Sequence, residues 1–255
     1  MFKIDVNCDM GEGFGVYSLG FDEEVIPYVS SINVACGFHA SDPENIWKTV
    51  RLAKKFGVAV GAHPSYPDLV GFGRRHMAVS PEQVKADVIY QVGAVAAFCR
   101  AEGMALQHVK AHGALYNAAE KDIAVALAVA EAVKAVNPGL IMVCLAGSAM
   151  VEAAVKTGIK YVEEAFADRA YTSGGALAPR SQAGAVITDV GTVASRVVSM
   201  VKDGGVMSID GKWVNIKAQT VCVHGDTPGA AGMVKAVRLA LEENSIGVSS
   251  FGDWV

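Results

Sequence analysis

The stretch KIDVNCDM alternates Ile4, Val6 and Cys8 with Asp5, Asn7 and Asp9. A period of two predicts a strand with one apolar and one polar face. Further on the period changes. In SDPENIWKTVRLAKKFG, Asp42 reads as an N-cap, Pro43 as the first helical residue, Ile46, Val50 and Ala53 as one face, and Gly57 as the stop. SPEQVKADVIYQVGAVAAFCRAEG repeats that grammar, with Ser80, Pro81 and Gln83 as a capping box and Val84, Val88, Val92, Val95 and Cys99 as its stripe. Strand signals recur at SINVAC, VAVGAH, LQHVKAH, GLIMVCLA, YVEEAFAD and TVCVHGD, making seven with the opening stretch, each followed by a loop and a helical run.

Strand alternating with helix along the whole chain predicts a mainly parallel sheet. Seven such units without an order-reversing glycine fingerprint favour a closed barrel over an open doubly wound sheet. The expected fold is therefore α/β: an irregular seven-stranded (β/α) TIM-like barrel filling residues 1–255 as one domain. A hairpin is expected as an insertion near 206–218, where SIDGKWVNIKAQ alternates Ile209, Trp213 and Ile216 around Asp210 and Gly211.

In such a barrel the outer face of each strand meets helices and must be apolar, so the polar face points inward. That rule puts Asp5, Asn7 and Asp9 inside, the first two deep and Asp9 at the mouth. It does the same for His108, Lys110 and His112, opposite Val109 and Ala111, and for Cys222, His224 and Asp226, opposite Val221 and Val223. Buried charges need partners, and the expected pairing sets Asp5, Asp9, Glu164, Asp168 and Asp226 against Lys110 and Arg169.

Composition narrows the function. A hydrophobic fraction of 52% is ample for a large core, and a net charge of -4 with both signs interspersed leaves no basic field for nucleic acid or anionic lipid. No leader-like N-terminus and no apolar run of about 18 residues is present, so a cytoplasmic, non-membrane protein is expected. Five cysteines, an odd number with no C-x-x-C pair, read as small buried hydrophobes of a reducing compartment.

Reactive groups of β/α barrels sit at the carboxyl ends of strands. Those ends carry Asp9 and Glu12, His39, His63, Lys110 and His112, Asp168 and Arg169, and His224 and Asp226, so four of six histidines fall there on four different strands. The glycines of GEGFG and GFGRR serve equally well as phosphate cradles or sharp turns, and no G-x-x-x-x-G-K-[ST] exists. Arg74 and Arg75, side by side, suit phosphate or carboxylate, or form a surface pair. The histidines with carboxylates raise the question of a divalent metal, yet no close-spaced ligand pair is present, and a strand separates the two histidines of HVKAH by about 13 Å at about 3.3 Å per residue.

Six segments in order, NCDMGEGFG, NVACGFHASDP, GAHPSYPDLVGFGRR, VKAHGALYN, EAFADRAYTSGGALAPRSQAGAVI and VCVHGDTPGA, resemble the LamB/YcsF family from the first strand to the last helix. That family is similar to the glycoside hydrolase/deacetylase superfamily of seven-stranded β/α barrels. The resemblance implies ATP-dependent opening of 5-oxo-L-proline to L-glutamate, with ATP going to ADP and phosphate and Mg2+ as its counter-ion, in company with 5-oxoprolinase subunits B and C. A five-membered lactam is a poor electrophile, and phosphoryl transfer to its oxygen would make it open to water. For that chemistry Asp9, Asp226 or both are expected as general base or proton relay, with His63, His112 and His224 as acid–base and orienting partners. Lys110, counted with the catalytic set, joins Arg74 and Arg169 in holding the phosphoryl group or the substrate carboxylate, and Asn7, Glu12, His39, Arg75, Asp168 and Arg180 are expected as further substrate or phosphate contacts. Two rivals remain: a metal-dependent carbohydrate deacetylase-like hydrolase, and a non-catalytic scaffold within the complex.

Overall fold

The structure, a computed structural model, describes residues 2–224 and 229–255. Apolar alternation becomes strand where expected: β1 (Lys3–Met10), β2 (Ser31–Ala35), β3 (Ala59–His63), β4 (Leu106–Val109), β5 (Ile141–Leu145) and β6 (Lys160–Phe166) run in sequence. The hairpin β7 (Gly205–Met207) and β8 (Trp213–Asn215) precedes β9 (Thr220–Cys222), and a short β10 (Gly247–Val248) follows. The helices are α1 (Asp22–Val25), α2 (Pro43–Phe56), α3 (Pro81–Ala101), α4 (Gly113–Ala119), α5 (Ile123–Val136), α6 (Ala149–Thr157), α7 (Val190–Lys202) and α8 (Ala230–Glu243). Among the described residues no helix is long and apolar enough to cross a membrane.

Strands β1 to β6 pair in order, β6 pairs β9, and β9 returns to β1, so seven parallel strands close into a barrel. Closure leaves no open edge in the ring. β10 adds to the start of β1 through Lys3↔Gly247 and Ile4↔Val248. The helix ends follow local chemistry: the Asp42 carboxylate accepts from the Glu44 and Asn45 amides, Gly57 takes the left-handed φ of 68°, and the Ser80 hydroxyl accepts from the Gln83 amide. The stripe Val84, Val88, Val92, Val95 and Cys99 of α3 is buried, each valine contributing about 1.5–3 kcal/mol.

The strand faces sort as the alternation requires. Ile4, Val6 and Cys8 are wholly buried in the apolar layer under the helices, while Asp5, Asn7 and Asp9 meet side chains of other strands. β4 stops at Val109, earlier than LQHVKAH suggests, yet the chain stays beside β3: the Lys110 amide donates to the Ala62 carbonyl at 3.0 Å and the His112 amide to Pro64 at 2.8 Å. The alternation therefore carries through to His112.

At the opposite end the floor is apolar. Phe251 packs with Ile141, Val143 and Val162, and its ring centre lies 5.0 Å from that of His108. The antiparallel hairpin pairs Gly205 with Asn215 and Met207 with Trp213, with Asp210 and Gly211 in its turn. Its buried face is Val214 and Ile216; Trp213, expected on the apolar face with Ile216, points outward because the two positions differ by an odd number. All five cysteines are free and buried.

Candidate active site

The barrel interior is a stack of polar layers. At the bottom, Asp5 accepts hydrogen bonds from Ser30 at 2.7 Å, Ser31 at 2.9 Å and Thr220. Burial pushes its carboxyl up to about 6 despite these three donors. Asp5 therefore has hydroxyl partners in place of the buried cation expected for it. Beside it His108 approaches Asn33 Oδ1 at 2.9 Å, and a Cβ on Gly61 would fall 2.1 Å from the His108 ring, so β3 carries glycine where that ring crosses it.

The middle layer centres on Lys110, the one lysine buried among the described residues. Its Nζ lies 2.9 Å from Glu164 Oε1, 3.2 Å from Asp9 Oδ1, 3.2 Å from Asn7 Oδ1 and 3.0 Å from Cys222 Sγ. Burial opposes its charge, but Asp9, Cys222 and Glu164 outweigh that and hold it well above the ordinary lysine range. Tyr116 donates to Glu164 Oε2 at 2.7 Å, and Asn33 donates to both Asn7 and Asp9 at 2.8 Å. Asn7 is thus a structural bridge within the network, donating to Glu164 and Thr220.

At the mouth, Asp9, Glu12 and three histidines converge. His63 Nε2 stands 3.2 Å from Asp9 Oδ2 and 3.0 Å from His112 Nδ1; Glu12 Oε1 stands 3.3 Å from His39 Nε2 and 3.8 Å from His112 Nδ1. The His39 and His112 rings stack with centres 3.8 Å apart. Burial lowers His112 to about 3, with His63 adding to the effect, and lowers His39 well below the usual histidine range. Burial also works against the Asp9 charge, but His63 and Lys110 prevail and hold that carboxyl well below the carboxylate range.

The far wall is cationic. Asp168 lies 2.7 Å from His224 Nδ1, and Arg180 donates to His224 Nε2 at 2.8 Å. This fixes the neutral tautomer with its proton on Nδ1. Burial opposes the Asp168 charge, yet His224 brings its carboxyl below the ordinary value. Arg169, expected to pair with a buried carboxylate, instead donates to the Ala178 carbonyl at 2.7 Å, and its buried Nε has no partner among the described residues. A cavity of about 380 Å³ joins the two walls, lined by Asp9, Glu12, His63, Lys110, His112, Arg74, Arg169, Arg180 and His224.

The GFGRR loop roofs this cavity. Phe72 takes a left-handed φ of 54°, uncommon for a bulky residue, and its carbonyl stands 2.9 Å from His112 Nε2. Gly73 follows at φ 63°, where a Cβ would come within 2.8 Å of both His39 and His112. The glycine allows a close approach of the loop backbone to the two histidines. Arg74 lies over the Phe72 ring at 5.0 Å and lines the cavity. Arg75 turns away: its Nε donates to Asp68 Oδ1 at 2.9 Å, a partner seven residues earlier, so it ties the loop down and does not face the cavity. In the GEGFG loop, Phe14 and Tyr17 exchange backbone bonds of 2.9 and 3.0 Å as a turn.

Of the residues singled out from the sequence, Asp9, Glu12, His63, Arg74, Lys110, His112, Arg169, Arg180 and His224 meet at one cavity, with His39 and Asp168 directly behind. Asp226 lies outside the described residues. Glu164 enters as the second anchor of Lys110, and Asn33 and Tyr116 enter unforeseen; the alternation of Ser31 and Asn33 in SINVAC was the available signal for Asn33. The donors of the mouth come from four separate segments, and their atoms lie within 4.8 Å of one another, which no spacing within one segment could reveal.

Comparison with known proteins places this arrangement. The model of the LamB/YcsF family matches residues 4–255. A protein from Clostridium beijerinckii, named as the A subunit of 5-oxoprolinase, is 55% identical, covering 96% of this chain and 96% of its own length. One of the same name from Pyrococcus furiosus is 53% identical over 99% of each. The crystal structure of a lactam utilization protein from Thermus thermophilus superposes with a TM-score of 0.95 at 52% identity, covering 98% of this chain and 100% of the other.

Proposed function

The chain belongs to the LamB/YcsF family, and from that premise we propose that it is the component of an ATP-dependent 5-oxoprolinase that houses lactam opening. The observation that carries this reading is the single cavity with a histidine–aspartate pair on each of two facing walls and arginines beside one of them. The name of its relatives supports the same reaction.

5-Oxo-L-proline carries a carboxylate and a cyclic amide a few bonds apart. On this reading Arg169 and Arg180 take the carboxylate, for which the buried, unpartnered Nε of Arg169 is suited. The amide carbonyl then points toward Lys110, whose fixed charge stabilises negative charge developing on oxygen. Water attacks the carbonyl carbon from the side of Asp9, which stays ionised and orients it. The ring C–N bond breaks, the hydroxyl remains on carbon, and the ring nitrogen gains a proton. His224, held with its proton on Nδ1 by Asp168, has a free Nε2 lone pair once the substrate carboxylate draws Arg180 away; Nε2 takes the proton that the attacking water loses and passes it to the ring nitrogen. Where ATP first phosphorylates the lactam oxygen, ADP leaves, water addition and ring C–N cleavage give the acyl phosphate of glutamate, and a second water releases phosphate; Arg74, Arg169 and Arg180 suit that phosphoryl group as they suit a carboxylate.

The test combines this chain with companion subunits B and C and follows glutamate release from 5-oxo-L-proline with and without ATP. Glutamate that appears only with all three subunits and ATP is the expected result. No release from the mixture, or ATP-independent release from this chain alone, overturns the proposal.

A further inference from the structure

We propose that Glu12, His39, His63 and His112 form a binding site for one divalent first-row transition cation, of the zinc or manganese type. The argument begins with protons. His63 Nδ1 lies 2.7 Å from the Lys110 carbonyl, and His112 Nε2 lies 2.9 Å from the Phe72 carbonyl. A carbonyl only accepts, so both of those nitrogens carry hydrogen. The remaining nitrogens, His63 Nε2 and His112 Nδ1, face each other at 3.0 Å, so at most one of them carries hydrogen and the other offers a lone pair. Around them stand more acceptors: Asp9 Oδ2 at 3.2 Å from the first and Glu12 Oε1 at 3.8 Å from the second.

Either one proton or a metal cation between them satisfies such a pair, and a cation would serve both nitrogens and the carboxylates at once. Asp9 and Glu164 share the single charge of Lys110, so the carboxylates on this side of the cavity outnumber its one lysine. His39 adds a third imidazole, its Nε2 beside Glu12 at 3.3 Å and its buried Nδ1 without a hydrogen-bond partner among the described residues. Bonds of about 2.0–2.2 Å to nitrogen and carboxylate oxygen set tetrahedral donors about 3.3–3.6 Å apart, so a set spanning 4.8 Å closes on an ion with side-chain shifts on the order of 1 Å. Three imidazoles with a carboxylate select zinc, cobalt, manganese or iron over magnesium or calcium. The backbone carbonyls behind His63 and His112 are the outer partners that orient metal-bound imidazoles. An ion held here with a coordination position left open would acidify a bound water at the Asp9 end of the cavity.

The proposal concerns the same cavity as lactam opening, but its readout is ion binding, so the two fail separately. The full-length chain, stripped with chelator, is titrated with Co2+ for ligand-field absorption and with Zn2+ for stoichiometry and for the rise in melting temperature. The expected result is about one ion per chain, with affinity falling roughly 100-fold or more in His63→Gln and His112→Gln. Glu12→Gln, close to isosteric, is the second variant should either histidine replacement fail to fold, and a fall of at least about tenfold is expected there. Absence of Co2+ absorption and of Zn2+ binding in the folded wild-type chain overturns the site and leaves a single shared proton between His63 and His112. Undiminished binding in the folded variants overturns it equally.

Discussion

Replacing Lys110 by methionine keeps the length of the side chain and removes its charge from a position only 2% exposed. Two carboxylates then lose their shared cation, Glu164 at 2.9 Å and Asp9 at 3.2 Å. At about 3 Å and an effective dielectric of about 20, each attraction is on the order of 5 kcal/mol before desolvation, and breaking a buried pair leaves a measured cost of about 3–5 kcal/mol. Lys110→Met should therefore lose about 3–5 kcal/mol in urea unfolding at neutral pH, read from the midpoint at unchanged slope. The deficit should shrink on acidification. In the wild type the depressed Asp9 carboxyl contributes stability that is present above the ordinary carboxylate range and lost as pH falls through its folded value. Without Lys110 that depression weakens, so the variant has less to lose in acid. Adding Glu164→Gln to Lys110→Met should restore about 2 kcal/mol, since a neutral amide there still meets Asn7 and Tyr116. A loss under about 1 kcal/mol, or no recovery in the double variant, would refute the buried network as the organising element of the barrel.

Three further outcomes follow from single contacts. Asp5, raised from 3.8 to about 6, contributes stability that is complete below its unfolded value and lost as pH rises through the folded one, a cost of about 3 kcal/mol at neutral pH; Asp5→Asn should flatten this decline in unfolding measured from about pH 4 to about pH 7. Gly73→Ala should destabilise by about 1–3 kcal/mol and lower kcat in the assembled enzyme more than it raises KM, because the added carbon presses on His39 and His112. Phe251→Ala opens the floor against Ile141, Val143 and Val162 and should cost about 3–5 kcal/mol in thermal or urea unfolding.

The barrel was legible because its strands are amphipathic in an unusual sense, polar toward a packed interior and apolar toward helices. Asp5, Asn7 and Asp9 announced both the strand and its direction, and His108, Lys110 and His112 repeated the signal. The floor was not legible: Phe251 joins Ile141 and Val162 only after the chain has closed on itself, and no local period marks it. Partner choice was the weakest inference. Asp5 found hydroxyls because Thr220 is its register partner on β9 and Ser31 pairs with Asn7, two positions along β1, and Arg75 found Asp68 within its own loop. Spacing within one segment argued against a metal-type cluster, whereas barrel closure brings Glu12, His39, His63 and His112 together from the ends of different strands.

The central claim, that lactam opening takes place in this barrel, is tested most directly at Asp9. Asp9→Asn keeps the shape of the side chain beside Lys110, Asn33 and His63. Glutamate release from 5-oxo-L-proline is to be measured with ATP and subunits B and C, alongside a check that the variant assembles with them as the wild type does. A fall of at least about 100-fold with assembly intact is the predicted result; release within about twofold of wild type would contradict it and leave the barrel a scaffold.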